Sequence, residues 1–227
     1  MVRADLIRQL ECVEAGRQAR LKEVRSAADA RKYAAHCRSA VEVAFESGLA
    51  RGCVPLPLES HCMRVLERDG YRVESVLYQS APGILVTANL YLPSHASAAA
   101  PVPAVLHPLG HSGTAKAAAG YQAASQQLVR AGFAVLTYDP INQGERDQYT
   151  TTLPDDDEVL GSWAAGQARV STRSHNMMGK QSELIGDFFG SWMVLDGIRG
   201  VDYLESRPEI DTSVLGLTGD KSWKFHR

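Results

Sequence analysis

No stretch of the 227 residues stays apolar for the roughly twenty positions that a membrane-spanning helix needs. The first twenty residues, MVRADLIRQLECVEAGRQAR, lack the uninterrupted apolar centre of a secretory signal. The expectation is a cytoplasmic protein, or one whose leader lies outside this sequence. There is little cysteine: Cys12, Cys37, Cys53 and Cys62 stand far apart with no Cys-x-x-Cys pair, which predicts free, buried thiols and argues against a zinc site. There is no excess of charge of either sign. The 24 basic and 26 acidic residues leave a net charge of −2 and are scattered, so neither nucleic acid nor an anionic lipid surface is favoured as partner. No internal repeat is present. At this length, with 44% apolar residues, the chain can bury one good-sized core with a small appendage.

Residues 1 to about 48 carry apolar positions at helical spacing (Leu6, Leu10, Val13, then Leu21 and Val24) and continue through the alanine-rich AADARKYAAHCRSAVEVAF. Pro55 and Pro57 end the pattern. This predicts a helical cap, residues 1–58, packed on a domain formed by residues 59–227. From Tyr71 the period changes to two. YRVESVLYQS and ILVTANLYLP, joined by APG, predict an antiparallel hairpin. The rhythm then alternates. VPAVLHPLG is a strand, AKAAAGYQAASQQLVRAG a helix ending at Gly132, and FAVLTYDP a strand with a polar end. A polar stretch from about 142 to 178 contains the acidic run Asp155, Asp156, Asp157, Glu158, read as a solvated loop. KQSELIGDFFGSWMVLDGIRGVDYLESRP predicts one long helix with an apolar face of Leu184, Ile185, Phe188, Phe189, Trp192, Leu195, Ile198, Val201 and Leu204. SVLGLTGD predicts a last, buried strand from Val214 to Thr218. The order predicts an α/β fold: a mixed, mostly parallel sheet with flanking helices.

In open α/β sheets the ligand sits beyond the carboxyl ends of the strands. Those ends are HPLGHSGTAK, DPINQGERDQY and TGDKSWKF. At these motifs the sequence resembles the α/β-hydrolase superfamily, in its acetyl xylan esterase-like and dienelactone hydrolase-like branch. The matching stretches are RDGYRVESVLYQSAPGILVTANLYLP, PAVLHPLGHSGTAKAAAGYQ, GFAVLTYDPINQGERDQY and SHNMMGKQSELIGDFFGSWMVLDGIRGVDYLESRPEIDTSVLGLTG, covering roughly residues 65 to 219.

The resemblance implies a serine ester hydrolase acting on a small ester, with no cofactor and no metal. It implies that the loop Leu109-Gly110-His111-Ser112 supplies a backbone N–H, that of His111, to an oxyanion hole. It also implies that Glu145 and Arg146 form a structural ion-pair and hydrogen-bond element. After a strand like VLGLTG the family continues into a nucleophile elbow with Ser between small residues. Here Lys221 stands at the place of that serine, with Ser222 and Trp223 where glycines are needed. The later acid and histidine have no counterpart in this sequence. The expectation is a truncated α/β-hydrolase fold that ends at the elbow, is inactive alone, and exposes its last strand to self-association. Ser112, between a strand and a helix, is the alternative nucleophile. Asp139 is a candidate to orient a histidine or to cap its turn. His175 and His226 are candidate bases by residue type. The competing reading is a binding or assembly protein built on the remaining scaffold.

Overall fold

The computed structural model describes residues 2–45, 56–149 and 167–219. The chain divides into two compact units, Met1–Ser47 and Gly48–Arg227. In the first, α1 (Val2–Lys22) and α2 (Ala27–Phe45) are helical as the spacing predicts. Ser26 starts α2 as a reciprocal cap. Its Oγ accepts from Asp29 N at 3.1 Å, while Asp29 Oδ2 accepts from Ser26 Oγ at 2.7 Å and Arg25 N at 3.2 Å.

The second unit is a six-stranded sheet with the order β1-β2-β3-β5-β4-β6. Its strands are β1 (His61–Arg68), β2 (Tyr71–Ala81), β3 (Ile84–Pro93), β4 (Val102–His107), β5 (Ala134–Tyr138) and β6 (Ile210–Leu217). The predicted hairpin is β2–β3, with Gly83 at φ +73° in its turn. β1 adds to it in antiparallel fashion, and β3 pairs antiparallel with β5. Only β4 pairs in parallel, with β5 on one side and β6 on the other. The sheet is mixed as expected, and its balance of strands leans antiparallel because β1 extends the opening hairpin.

Helix α3 (Ala119–Arg130) crosses over between the parallel strands β4 and β5. Side-chain alternation assigns the two faces. Leu90, Leu106 and Leu136 join Tyr203 and Leu204 of α5 (Phe189–Glu205) in the larger core cluster. Their neighbours Tyr91 and Val135 join Val129 of α3 in the smaller one. Leu90 and Leu136 are wholly buried, each worth about 1.5–3 kcal/mol against exposure. Away from the parallel strands' carboxyl ends, Arg72, Glu74, Arg207 and Glu209 form a ring of ion pairs. Arg207 grips Glu74 through both guanidinium Nη atoms at 2.6 and 3.2 Å. Burial opposes the charge on Glu74, yet Arg207 and Arg72 outweigh it and hold its pKa below the ordinary value.

Four expectations are corrected. The predicted long helix is two, α4 (Gln167–Leu184) and α5, separated at Gly186 with φ +73°. Helix therefore begins inside the stretch read as loop. The buried side of α5 only partly follows the apolar series: Phe189 and Leu204 are buried and Trp192, Leu195 and Val201 half-buried, but Asp196, Arg199, Gly200 and Tyr203 are buried with them, while Ile198 on α5 and Leu184 and Ile185 before it are exposed. The cause is close approach to tyrosines. A Cβ at Gly197 would stand 3.2 Å from Tyr138 Oη, and one at Gly200 3.1 Å from Tyr78 Oη. β6 is a strand but mostly exposed, because among the described residues it pairs with β4 alone. Cys12, Cys37 and Cys62 are free but exposed rather than buried. No helix among the described residues is long and apolar enough to cross a membrane.

Candidate active site

The turn after β5 is organised by one carboxylate. Asp139 is fully buried and accepts from Thr87 Oγ1 at 2.6 Å, Lys116 N at 3.0 Å and Glu145 N at 3.3 Å. Lys116 Nζ, itself buried, pairs with Asp139 and with Glu145. With its oxygens so engaged, Asp139 caps the turn and orients no histidine. The chain can bend this tightly because Asn142 (φ +64°) and Gly144 (φ +56°) adopt left-handed conformations. A Cβ at Gly144 would lie 2.7 Å from Asp139 Oδ1, so glycine is required there twice over.

Glu145 and Arg146 form ion pairs, as the resemblance implied. Arg146 donates to Asp139 O at 3.0 Å and to Asp196 Oδ2 at 2.6 Å, and both side chains of the pair are nearly inaccessible. Burial raises the Asp196 pKa, and the opposing pull of Arg146 does not fully compensate. The pair fastens the β5 turn to the middle of α5.

The loop after β4 lies against this turn. Ser112 N donates to Gln143 Oε1 at 2.6 Å. His111 N has no acceptor among the described residues, which leaves that N–H open. The His111 ring meets His175 of α4, with Nε2 and Nδ1 separated by 2.9 Å. His175 Nε2 is bonded to Ile141 O at 2.6 Å, and its ring stands edge-on to Phe189 with centroids 5.3 Å apart. Burial pushes the His175 pKa down to about 4. The Ile141 carbonyl resists that shift and His111 adds to it.

Ser112 Oγ has Thr114 Oγ1 as its neighbour at 3.4 Å, not an imidazole. One serine does meet a histidine: Ser125 Oγ lies 3.4 Å from His107 Nδ1, but Ser125 is wholly buried on the inner side of α3 and closed to a substrate. Lys221, Ser222, His226 and the acidic run at 155–158 lie outside the described residues. Among the described residues no group of three or more His, Cys, Asp or Glu is placed to hold a metal.

A cleft of about 540 Å3 opens beside these turns, lined by Thr87, Ile141, Met178, Phe189 and Trp192 among others. Trp192 is held by an Nε1–H bond to Asp187 Oδ2 at 2.7 Å. His175 touches two of the lining residues, Ile141 and Phe189, from behind the cleft wall, while neither histidine lines the cleft itself. Lys116, Gln143 and Asp196 escaped the sequence reading. For Asp196 a signal existed: it falls three to four residues from Arg199, Gly200 and Trp192 along one side of α5.

No protein-family profile matches the sequence, and no curated protein matches it. Solved structures do. A protein of Bacteroides fragilis NCTC 9343 assigned as an acetyl xylan esterase superposes with a TM-score of 0.66 at 17% identity, over 86% of this chain and 48% of its own. A methylesterase gives 0.58 at 19%, over 89% and 39%. Acetyl xylan esterase 1 of Thermoanaerobacterium sp. JW/SL YS485 gives 0.51 at 14%, over 76% and 48%. The chain has an α/β-hydrolase fold. It spans half or less of each of these chains. In the α/β-hydrolase fold described above, the His111 loop, the Asp139–Arg146 turn and the cleft all gather at the carboxyl ends of the parallel strands β4 and β5.

Proposed function

We propose that this chain is related to carboxylic-ester hydrolases acting on small esters, an acetylated sugar among them, and that alone it does not catalyse hydrolysis. The observation that carries the first half is the open N–H of His111, in a loop locked by Gln143 at the carboxyl end of β4. Such an amide, fixed before the substrate arrives, suits the negative charge that develops on an acyl oxygen. In the corresponding chemistry a serine attacks the acyl carbon, a histidine takes its proton, and acid and alcohol leave in turn.

The second half rests on the described residues alone: none of their serines both faces solvent and contacts an imidazole. The test is hydrolysis of a chromogenic short-chain acetate, paired with labelling by a fluorophosphonate probe. The expected result is neither turnover nor label. Robust turnover abolished by Ser112→Ala would overturn both the inactivity and the oxyanion role of this loop.

One observation favours a second reading, a protein that uses the scaffold for assembly. β6 lies at a sheet edge among the described residues, and Val214 and Leu217 on it are 51% and 74% exposed. An open edge with little charge, here only Asp211 near its start, accepts another strand, in this case one from a second copy. Sedimentation velocity at tens of micromolar decides, and a lone monomer boundary removes this reading.

A further inference from the structure

Positions 111 and 175 are 64 residues apart, yet the two imidazoles meet nitrogen to nitrogen at 2.9 Å, with ring centroids 4.7 Å apart. The protons in this contact follow from elementary chemistry. A backbone carbonyl accepts hydrogen bonds and never donates them. His175 Nε2, 2.6 Å from Ile141 O, therefore carries a hydrogen. A neutral imidazole has one N–H, so His175 Nδ1 is bare and can only accept. His111 Nε2 must then be the donor, and in neutral His111 the remaining nitrogen, Nδ1, is bare in turn. The chain Ile141 O, His175, His111 has one proton arrangement, and each ring's tautomer is set by the next group inward.

The chain joins three pieces of the site. Ile141 belongs to the turn after β5, His175 to α4, and His111 to the loop after β4. The His175 ring is further steadied by its edge contact with Phe189 at the start of α5. On its other side the same loop is held by the bond from Ser112 N to Gln143 Oε1. The backbone of residues 111 and 112 is thus clamped from two directions, by a side-chain amide at Ser112 and by an imidazole at His111.

We propose that His175 is a positioning residue: by accepting from His111 Nε2–H it fixes the loop after β4, and with it the direction in which the His111 backbone N–H points. The role assigned to that N–H rests on the function proposed above, whereas the bridge and its proton arrangement do not. His175 itself is no general base in this arrangement, since one of its nitrogens donates to a carbonyl and the other is taken by His111.

The test uses the full chain, uniformly labelled with 15N, at pH 7.5 and without substrate. Long-range proton–nitrogen correlation identifies which ring nitrogens carry hydrogen. A nitrogen–nitrogen coupling across the hydrogen bond identifies the pair. The expected result is His175 protonated at Nε2 and bare at Nδ1, with coupling to His111 Nε2. A hydrogen on His175 Nδ1, or no coupling, overturns the proposal.

Amide exchange supplies the second readout. His175→Phe raises exchange at Ser112, whose N–H is bonded to Gln143 Oε1, several-fold and leaves the β2–β3 amides unchanged. His175→Gln, which keeps an acceptor and a donor, restores protection. Equal exchange in wild type and His175→Phe, or no restoration by Gln, also overturns it. If His175→Phe does not fold, the coupling in the wild-type chain still decides. Because neither readout involves hydrolysis, an esterase result strikes the proposed function without touching the bridge, and a missing coupling strikes the bridge alone.

Discussion

Arg146→Met is expected to destabilise the sheet unit by about 3–5 kcal/mol, the usual cost of removing one partner from a buried ion pair. The size follows from what the guanidinium leaves behind. Asp196 is 1% exposed and its carboxylate oxygens receive Arg146 at 2.6 and 3.4 Å, while the Asp139 carbonyl also loses its 3.0 Å bond. Methionine fills the stem's volume but neutralises nothing. A domain's whole stability is about 5–15 kcal/mol, so the variant sits close to unfolding. With a urea dependence of about 2 kcal/mol per molar, the midpoint falls by roughly 1.5–2.5 M.

Two controls separate this cause from general damage. Burial already raises the Asp196 pKa, and losing Arg146 raises it further. A raised folded pKa contributes stability below the unfolded value of 3.8 and loses it as pH rises through the folded value. The loss in Arg146→Met is therefore larger at pH 8 than at pH 4.5. The double variant Arg146→Met with Asp196→Leu removes the stranded charge and recovers most of the loss, less the bond to Asp139 O. A cost below about 1 kcal/mol, a loss independent of pH, or a double variant no better than the single one would each refute the reasoning.

Three further outcomes are expected. The depressed pKa of His175 means that the unfolded chain binds the extra proton between its ordinary value of 6.5 and about 4. Stability from this group is thus full above pH 6.5 and declines by up to about 3 kcal/mol toward pH 4; the difference in urea midpoint between wild type and His175→Gln, followed from pH 7.5 to 4, should show that slope, and a flat difference would contradict it. Gly144→Ala should cost more than about 2 kcal/mol, since its Cβ would meet Asp139 Oδ1 at 2.7 Å from a left-handed backbone, while Gly179→Ala in α4, with nothing within 4 Å, should stabilise by about 0.5–1 kcal/mol; thermal melts rank the two. Lys116→Met should unfold the Asp139 turn at a cost near 3–5 kcal/mol, as the fully buried carboxylate loses its cation, whereas Glu145→Gln, whose side chain is 70% exposed, should change the midpoint by less than about 1 kcal/mol.

The fold was legible wherever burial writes a period. β2 and β3 alternate because each turns one set of residues, Val76 and Tyr78 or Val86, Ala88 and Leu90, into the larger core cluster, and Gly83 marks the turn that joins them. β1 was missed for the opposite reason. Its residues are almost all exposed, so little forces alternation on HCMRVLER, and it is held by backbone pairing to β2 with Leu66 alone packing on the smaller core cluster. The break between α4 and α5 was hidden by plenty. Four glycines fall within the predicted helix, and composition does not say that Gly186 alone among them takes a left-handed φ while Gly197 and Gly200 stay helical to admit tyrosines.

The candidate site was legible in its backbone and illegible in its side chains. The strand-end loops could be placed because connectivity puts them at one edge of the sheet. What each carboxylate does there depends on contacts that no local spacing records. Asp139 meets Lys116 at a separation of 23 residues, Arg146 meets Asp196 at 50, and His175 meets His111 at 64. These three contacts decide the chemistry between them. The first two consume Asp139 and Arg146 in holding the β5 turn, so neither is left to serve a histidine or a substrate. The third takes Nδ1 of His175, whose Nε2 is already bonded to Ile141 O. What remains unspent around the cleft is the backbone N–H of His111, able to face developing negative charge, and the bare Nδ1 of the same residue, an acceptor to which no described hydroxyl is bonded, so the set receives an oxyanion without an activated nucleophile to create it.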